Sequence, residues 1–320
     1  MASPVVVAPA SFGPAAAEFV ERACAELGLE GRVVADRAGL MEVLLAANSG
    51  SLVLGSLSSD LGIEVAAIAE ERGLVHLEVG ALSNRAVGRR SLRATGGASD
   101  AAAVVCRTLR GRDYRMVSES SPFASALVDA VHALDPQTRP AVPITEACAD
   151  FAGFWDAGNA SDVLVAIARP PLPERLCAAI GRSGLRDVEL VGLGSWGREA
   201  VDKVAQDAGV YLRFVDVLPA SLLVPDALTA PIRESLLSYL PTRRTVYGDL
   251  GWAAGLLLRS ALERGPLALE ALAELRLDSA ETGFGHGIAF NAMGHNLRAR
   301  KALLAWERGQ IVAASEEAER

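Results

Sequence analysis

The feature that most constrains this chain is a regular beat. Short runs rich in Val, Ile and Leu alternate with longer alanine-rich amphipathic stretches. Strands are expected at residues 4–8, 32–35, 51–54 and 75–78, and helices at 14–27, 40–47 and 61–72. A second series follows Arg93-Ala94-Thr95: helices at 100–109, 124–134, 173–182 and 198–208, and strands at 115–118, 141–144, 163–167, 188–191 and 211–217. Apolar runs bounded by Gly or Ser and followed by helical periods are the mark of βαβ units, so parallel sheets are expected. The tail breaks the beat. Two helical patterns at 227–240 and 245–264 follow one another, and then come strand-like pieces at 287–290, 302–307 and 311–313. A chain of 320 residues exceeds one ordinary core, and two doubly wound α/β lobes fit the pattern.

Charge and cysteine usage exclude several classes. A net charge of −8 argues against nucleic-acid binding, because phosphate contacts need a basic face. Cys24, Cys106, Cys148 and Cys177 are widely spaced with no CxxC pair, so neither a zinc site nor a redox motif is expected, and all four read as free thiols. No run of about 18 apolar residues occurs, so no membrane insertion is expected. The apolar run 5–10 is too short for the core of a signal peptide and reads as the first strand. The expected location is therefore periplasmic if a leader was removed, and cytoplasmic otherwise.

Ligands of open parallel sheets bind beyond the carboxyl ends of the strands, which selects the loops 56–60, 79–84, 119–123, 168–171 and 193–197. The last contains GLGSWG, Gly192–Gly197, a GxGxxG pattern after a strand and before a helix, with Asp216 after the next strand. That is the dinucleotide-binding pattern of an NAD(P)-dependent oxidoreductase. Against it stand its position past mid-chain, the bulk of Trp196, and the lack of a following lobe with catalytic groups. Leu193 breaks the nucleophile-elbow pattern at Ser195, and no HExxH occurs. No catalytic residue, cofactor or metal is expected.

Residues 281–296, ETGFGHGIAFNAMGHN, hold four glycines and two of the four histidines, His286 and His295. Taken alone they invite a metal hypothesis, but no cysteine or carboxylate lies between the two histidines.

Three segments carry a resemblance when taken together: LVLGSLSSDLGIEVAAIAEERGLVHLEVGALSNRA (52–86) with SLRATGGASDAAAV after it, VYGDLGWAAGLLLRSALERGPLALEALAEL (246–275), and TGFGHGIAFNAMGHN. In order and spacing the chain resembles the type I periplasmic-binding-protein family, in the branch that binds branched-chain amino acids and amides for ABC transporters. The resemblance implies two α/β lobes joined by a three-crossover hinge. Lobe 1 would take 1–93 plus 226–281, and lobe 2 would take 94–225 plus 282–320. It also implies non-enzymatic binding of a small ligand in an interlobe cleft, delivered to an ABC transporter permease, or else sensed by a cytoplasmic protein or biosynthetic accessory of the same fold. The family's serine loop falls on Ser58 and Ser59, and its Gly-Ala-Thr loop on Gly80, Ala81, Leu82 and Ser83. In lobe 2, Phe123 stands where a stacking tyrosine is usual, and Arg169 where another aromatic is. The loop holding Ser195 and Trp196 lacks the acidic residue that binds a ligand ammonium. An α-ammonium beside Arg169, with no acidic partner of its own, would be poorly compensated, so an ordinary α-amino acid is not the expected ligand. The expected ligand thus carries a carboxylate and an apolar or aromatic body. Glu78 and Asp216 read either as cleft-facing or as strand-end surface groups. The turn at 283–296 reads as structural, with His295 in place of a turn aspartate.

Overall fold

The computed structural model describes residues 4–27, 31–156, 163–194, 196–217, 228–242, 245–265, 267–308 and 310–314. In chain order the elements are β1 (Val5–Pro9), α1 (Pro14–Ala25), β2 (Gly31–Val34), α2 (Arg37–Leu45), β3 (Leu52–Leu54), α3 (Ser59–Arg72), β4 (Val75–Glu78) and β5 (Ser91–Arg93). Then follow α4 (Ala98–Thr108), β6 (Tyr114–Ser118), α5 (Pro122–Leu134), β7 (Val142–Pro143), α6 (Ile144–Ala149), α7 (Phe151–Asp156), β8 (Val163–Ala168), α8 (Leu172–Ser183), β9 (Val188–Gly194), α9 (Glu199–Asp207) and β10 (Val210–Val217). The last are α10 (Ala230–Tyr239), α11 (Val246–Arg264), α12 (Leu269–Ala273), β11 (Arg276–Leu277), β12 (Ile288–Ala289), β13 (Lys301–Glu307) and β14 (Gln310–Ala313).

The chain forms two compact units. Unit 1 takes Met1–Gly97 and Val217–Arg300, and unit 2 takes Ala98–Asp216 and Lys301–Arg320. The last crossing therefore lies at 300/301 rather than at the expected 281/282. Hydrogen bonds explain the difference. Asn296 donates through Nδ2 to the carbonyls of Ala94 and Gly287 (2.8 and 3.0 Å) and accepts at Oδ1 from the N–H groups of Ala289 and Arg298 (2.9 and 3.0 Å). Gly294–Asn296 also bonds both faces of the Arg93 peptide, with Arg93 N–H to Gly294 carbonyl at 2.7 Å and Asn296 N–H to Arg93 carbonyl at 3.2 Å. These contacts tie 282–300 to the edge strand of unit 1. The first crossing lies at 97/98, four residues past the expected one. The expected boundary at 225/226 lies outside the described residues.

Unit 1 is built on a five-stranded sheet of order β2-β1-β3-β4-β5, parallel throughout. Its core packs α1 against α11, and small residues let the two backbones approach. A Cβ at Gly251 would stand 2.3 Å from the Phe19 carbonyl oxygen, so only glycine fits there. Fourteen of the nineteen residues of α11 are buried, which is why the segment reads as almost unbroken apolar sequence. No described helix is long and apolar enough to cross a membrane.

Unit 2 has a seven-stranded sheet of order β14-β13-β10-β9-β8-β6-β7. The strands β6 to β10 run parallel, and β13 with β14 forms an antiparallel hairpin on one edge. All six residues of β8 are buried, as expected for a parallel strand covered on both faces. In both units the loops that the carboxyl-end rule selects follow the strands directly.

Candidate functional site

In unit 1 the organising group is Glu78, the last residue of β4. Its side chain is fully buried, which a carboxylate tolerates only with partners. Oε1 accepts from the N–H groups of Val79, Gly80 and Ala81 at 2.7–2.8 Å. Oε2 accepts from Ser56 N–H at 2.9 Å and from Ser56 Oγ at 3.1 Å. One carboxylate thus holds both the serine loop after β3 and the Gly-Ala loop after β4. His76 Nε2 lies 3.5 Å from Oε2 and donates to the Gly55 carbonyl at 2.8 Å. Burial alone pushes the Glu78 carboxyl up, but His76 and the N–H groups of Ala81 and Ser56 outweigh it and hold the carboxyl below the usual carboxylate range. Of the two readings open for Glu78, neither cleft-facing ligand group nor surface residue describes it; it is the brace behind the loops.

The serines stand in front of that brace. Ser58 is the N-cap of α3, accepting from Leu61 N–H at 3.3 Å. Ser59 Oγ accepts from Ser83 N–H at 3.1 Å, and Ser83 Oγ from Arg85 N–H at 3.3 Å. The structure therefore brings Ser58, Ser59 and Ser83 together, with the N-terminus of α3 opening among them. All three are buried, as are Ala81 and Leu82. Each hydroxyl accepts one backbone N–H, and its own proton is left to donate. Arg93, also buried, donates to Asn84 Oδ1 at 3.0 Å and to the Ser83 carbonyl, which holds the loop from below.

In unit 2, Glu119 follows β6 and grips Arg169, which follows β8. Its Oε2 accepts from the Arg169 N–H at 2.7 Å and Oε1 from Arg169 Nε at 2.5 Å. Ser121, the N-cap of α5, donates to Oε1 at 2.7 Å. The Arg169 guanidinium lies 5.9 Å from the centre of the Phe123 ring. Glu119 is thus an acidic group beside Arg169, one that the loop at 194–196 does not supply. Glu119 escaped sequence reasoning because its partner is fifty residues away. The available signal was a carboxylate at a strand end two residues before a serine N-cap.

Trp196 is fully buried and folds back over the end of β9. A Cβ at Gly192 would stand 2.2 Å from Trp196 Cγ. The first glycine of GLGSWG therefore makes room for an indole, and the backbone face that a pyrophosphate would approach is occupied by that ring. Phe123 fills the neighbouring space, where a Cβ at Gly194 would stand 2.5 Å from its Cζ. Asp216 is buried with Lys301 Nζ at 3.9 Å. Ser195 lies outside the described residues.

Elsewhere, His286 uses both ring nitrogens structurally. Nε2 donates to the Ala94 carbonyl at 3.1 Å, and Nδ1 accepts from Arg300 N–H at 3.4 Å. His295 forms a backbone bridge to Arg93. Among the described residues no group of three or more His, Cys, Asp or Glu could hold a metal ion. All four cysteines are free thiols, with Cys24 and Cys177 pushed up by burial to about 11 and about 12.

No family model and no curated protein sequence matches the chain. Solved structures do. A leucine binding protein, LivK, from Thermotoga maritima MSB8 superposes with a TM-score of 0.75 at 14% identity, covering 98% of each chain. A type 1 periplasmic binding protein from Bordetella pertussis Tohama I gives 0.72 at 13% identity, covering 98% of this chain and 99% of its own. A solute binding protein of an ABC transporter from R. palustris, in complex with 4-hydroxybenzoate, gives 0.70 at 13%, covering 98% and 95%. At such identities the likeness speaks for architecture, and the architecture of this chain is the type I periplasmic-binding-protein fold.

Proposed function

We propose that the protein is a non-enzymatic binding protein for a small ligand bearing a carboxylate and an apolar or aromatic body. The observation that carries this reading is the serine cluster of unit 1. Ser58, Ser59 and Ser83 are buried hydroxyls that each already accept one backbone N–H and keep a proton to donate. A buried donor left unpaired is costly, so the group that completes the cluster is an acceptor. The N-terminus of α3 adds partial positive charge at the same place, which favours an anion. Glu78 keeps both loops in place before any ligand arrives, so little ordering is needed on binding. Phe123, with Arg169 above its ring, is the apolar surface that unit 2 offers to such a ligand. Delivery to an ABC permease outside the cytoplasm is the role we assign, in keeping with the likeness to a leucine binding protein and to an ABC-transporter solute binding protein in complex with 4-hydroxybenzoate.

The test is thermal melting of the purified protein against a panel of aliphatic and aromatic carboxylic acids, with NAD(H) and NADP(H) as a separate arm. An acid present at 100 times its Kd should stabilise the fold by about 2.7 kcal/mol. Ser59→Ala should abolish that shift; the free variant should itself melt lower, because Ser83 N–H loses its acceptor. Stabilisation by nucleotide alone would overturn the reading.

A further inference from the structure

Behind the serine cluster lies a second buried ionisable group, His76, whose charge the binding reading does not use. It precedes Glu78 by two residues on β4, so both side chains point to the same face of the sheet. Neither side chain is exposed. Nε2 donates to the Gly55 carbonyl at 2.8 Å and lies 3.5 Å from Glu78 Oε2, while Nδ1 meets Ser91 Oγ at 3.1 Å. A carbonyl only accepts, so Nε2 carries a proton in every state. A hydroxyl donates and accepts, so Ser91 serves Nδ1 whether that nitrogen is bare or protonated. The surroundings therefore hold the imidazole neutral or cationic without breaking either hydrogen bond.

Few other charges face the ring. On β3 its register partner is Val53, which packs with Leu61, Val65 and Ala69 of α3. The carboxylates of α3, Asp60, Glu64, Glu70 and Glu71, all keep some exposure, and Glu70 pairs with Arg89 at 3.7 Å. The turn at 84–86 sends Ala86 inward and leaves Arg85 exposed. Beside β5, Arg90 Nε donates to the Leu74 carbonyl at 2.7 Å, and Arg93, opposite Glu78 in register, holds Asn84 and the Ser83 carbonyl. The charge closest in contact with the ring is Glu78.

That carboxylate stands just behind the serine loop. Ser56 Oγ lies 3.1 Å from Oε2 and donates at 2.6 Å to the Ser58 carbonyl, so one hydroxyl separates the two. A ligand carboxylate held by the loop brings a second negative charge near the first, away from water. Like charges so placed repel, and a proton on the neighbouring imidazole offsets the repulsion. Burial pushes the Glu78 carboxyl up, yet His76 leads the groups that hold it low, so the carboxylate does not take that proton itself.

We propose that binding of the ligand carboxylate draws one proton from solvent onto His76 Nδ1, so that the protein takes up its ligand together with a proton. This rests on the carboxylate reading of the serine cluster and adds regulation by pH to the same site. Uptake of a proton on binding means that affinity rises as pH falls through the range in which histidine titrates.

The test is isothermal titration of the purified protein with benzoate and with isocaproate, in Hepes and in Tris. The two buffers release protons with different heats, so the difference between them counts the protons taken up. Uptake of roughly 0.3–1 proton per ligand is expected, with affinity at least about threefold higher at about pH 6 than at about pH 8. His76→Gln keeps a donor for the Gly55 carbonyl but cannot take a second proton. Its binding should show no difference between buffers, and at the acid end it should be weaker than that of the wild type. Should that variant fail to fold, NMR of the wild type with labelled histidine decides. One ring should change from neutral to cationic when the acid is added at constant pH, and Ser91→Ala should shift the signal of that ring. Binding without buffer dependence, uptake that survives in His76→Gln, or a spectrum in which no histidine changes charge would each overturn this inference and leave the serine-cluster reading standing. No binding of either acid at either pH would end both.

Discussion

At the scale of single residues, Glu78 and Trp196 show how far a side chain's role departs from what its type suggests. Glu78 takes five hydrogen bonds, four of them from backbone N–H groups of the two loops. Glu78→Gln removes the charge that those donors face and should cost about 3 kcal/mol or more. The pH dependence follows from the direction of the shift. The carboxyl titrates below its unfolded value of about 4.3, so its stabilisation is complete above that pH and is lost as pH falls through the folded value. Melting temperatures measured across acid pH should therefore fall more steeply for the wild type than for Glu78→Gln. Trp196 calls for a different approach. Its side chain is fully buried, so Trp196→Ala should cost roughly 3–5 kcal/mol through the cavity it leaves. Binding data on that variant would mix folding with recognition. Gly192→Ala, which drives a methyl into the indole, should destabilise by about 1–3 kcal/mol. Chemical denaturation of the three variants checks these values. A variant at Gly192 as stable as the wild type would mean that the indole does not lie there.

At the scale of elements, segments with an apolar run or a full helical period were legible, and those without either were not. The strand expected at 75–78 is β4, Val75–Glu78, and the helix expected at 245–264 is α11, Val246–Arg264. The short strand β5 had no such signal, because its three residues include Arg93, a buried arginine in a sequence position that reads as surface. The six-residue helices α6 and α7 are likewise too short to show a period. The candidate site divides in the same way. The serine loops follow strands directly and could be found by rule, whereas the pairing of Glu119 with Arg169 depends on β6 lying beside β8, which no local pattern reveals. The turn at 282–300 is a further element with a measurable role. Asn296 uses both oxygen and nitrogen of its carboxamide, each twice. Asn296→Ala leaves several buried backbone groups unpaired and should lower stability by about 2–3 kcal/mol. Hydrogen exchange should show the loss first at the β5 edge of unit 1.

At the scale of the whole molecule, the units are discontinuous in sequence, and this shapes how the chain responds to truncation. Removing residues 301–320 deletes β13 and β14 and uncovers β10, whose flank they pair. Buried Leu303, Leu304 and Ala305 leave with them. Such a chain should lose cooperative unfolding of unit 2 while unit 1 keeps its transition, a split that calorimetry resolves as two peaks in place of the native profile.

The same discontinuity sets an order of events during synthesis. The polypeptide leaves unit 1 at residue 97, returns at 217, and leaves again at 300. When the first five strands emerge from the ribosome, α11, the helix that covers α1, is still more than a hundred and fifty residues away from being made. Unit 2 in turn waits for its final hairpin. Neither core can therefore close until translation is nearly finished, and until then apolar surface of both lobes stands exposed. A nascent chain of this design needs shelter from chaperones, and a stalled ribosome would release it with two unfinished cores rather than one complete domain.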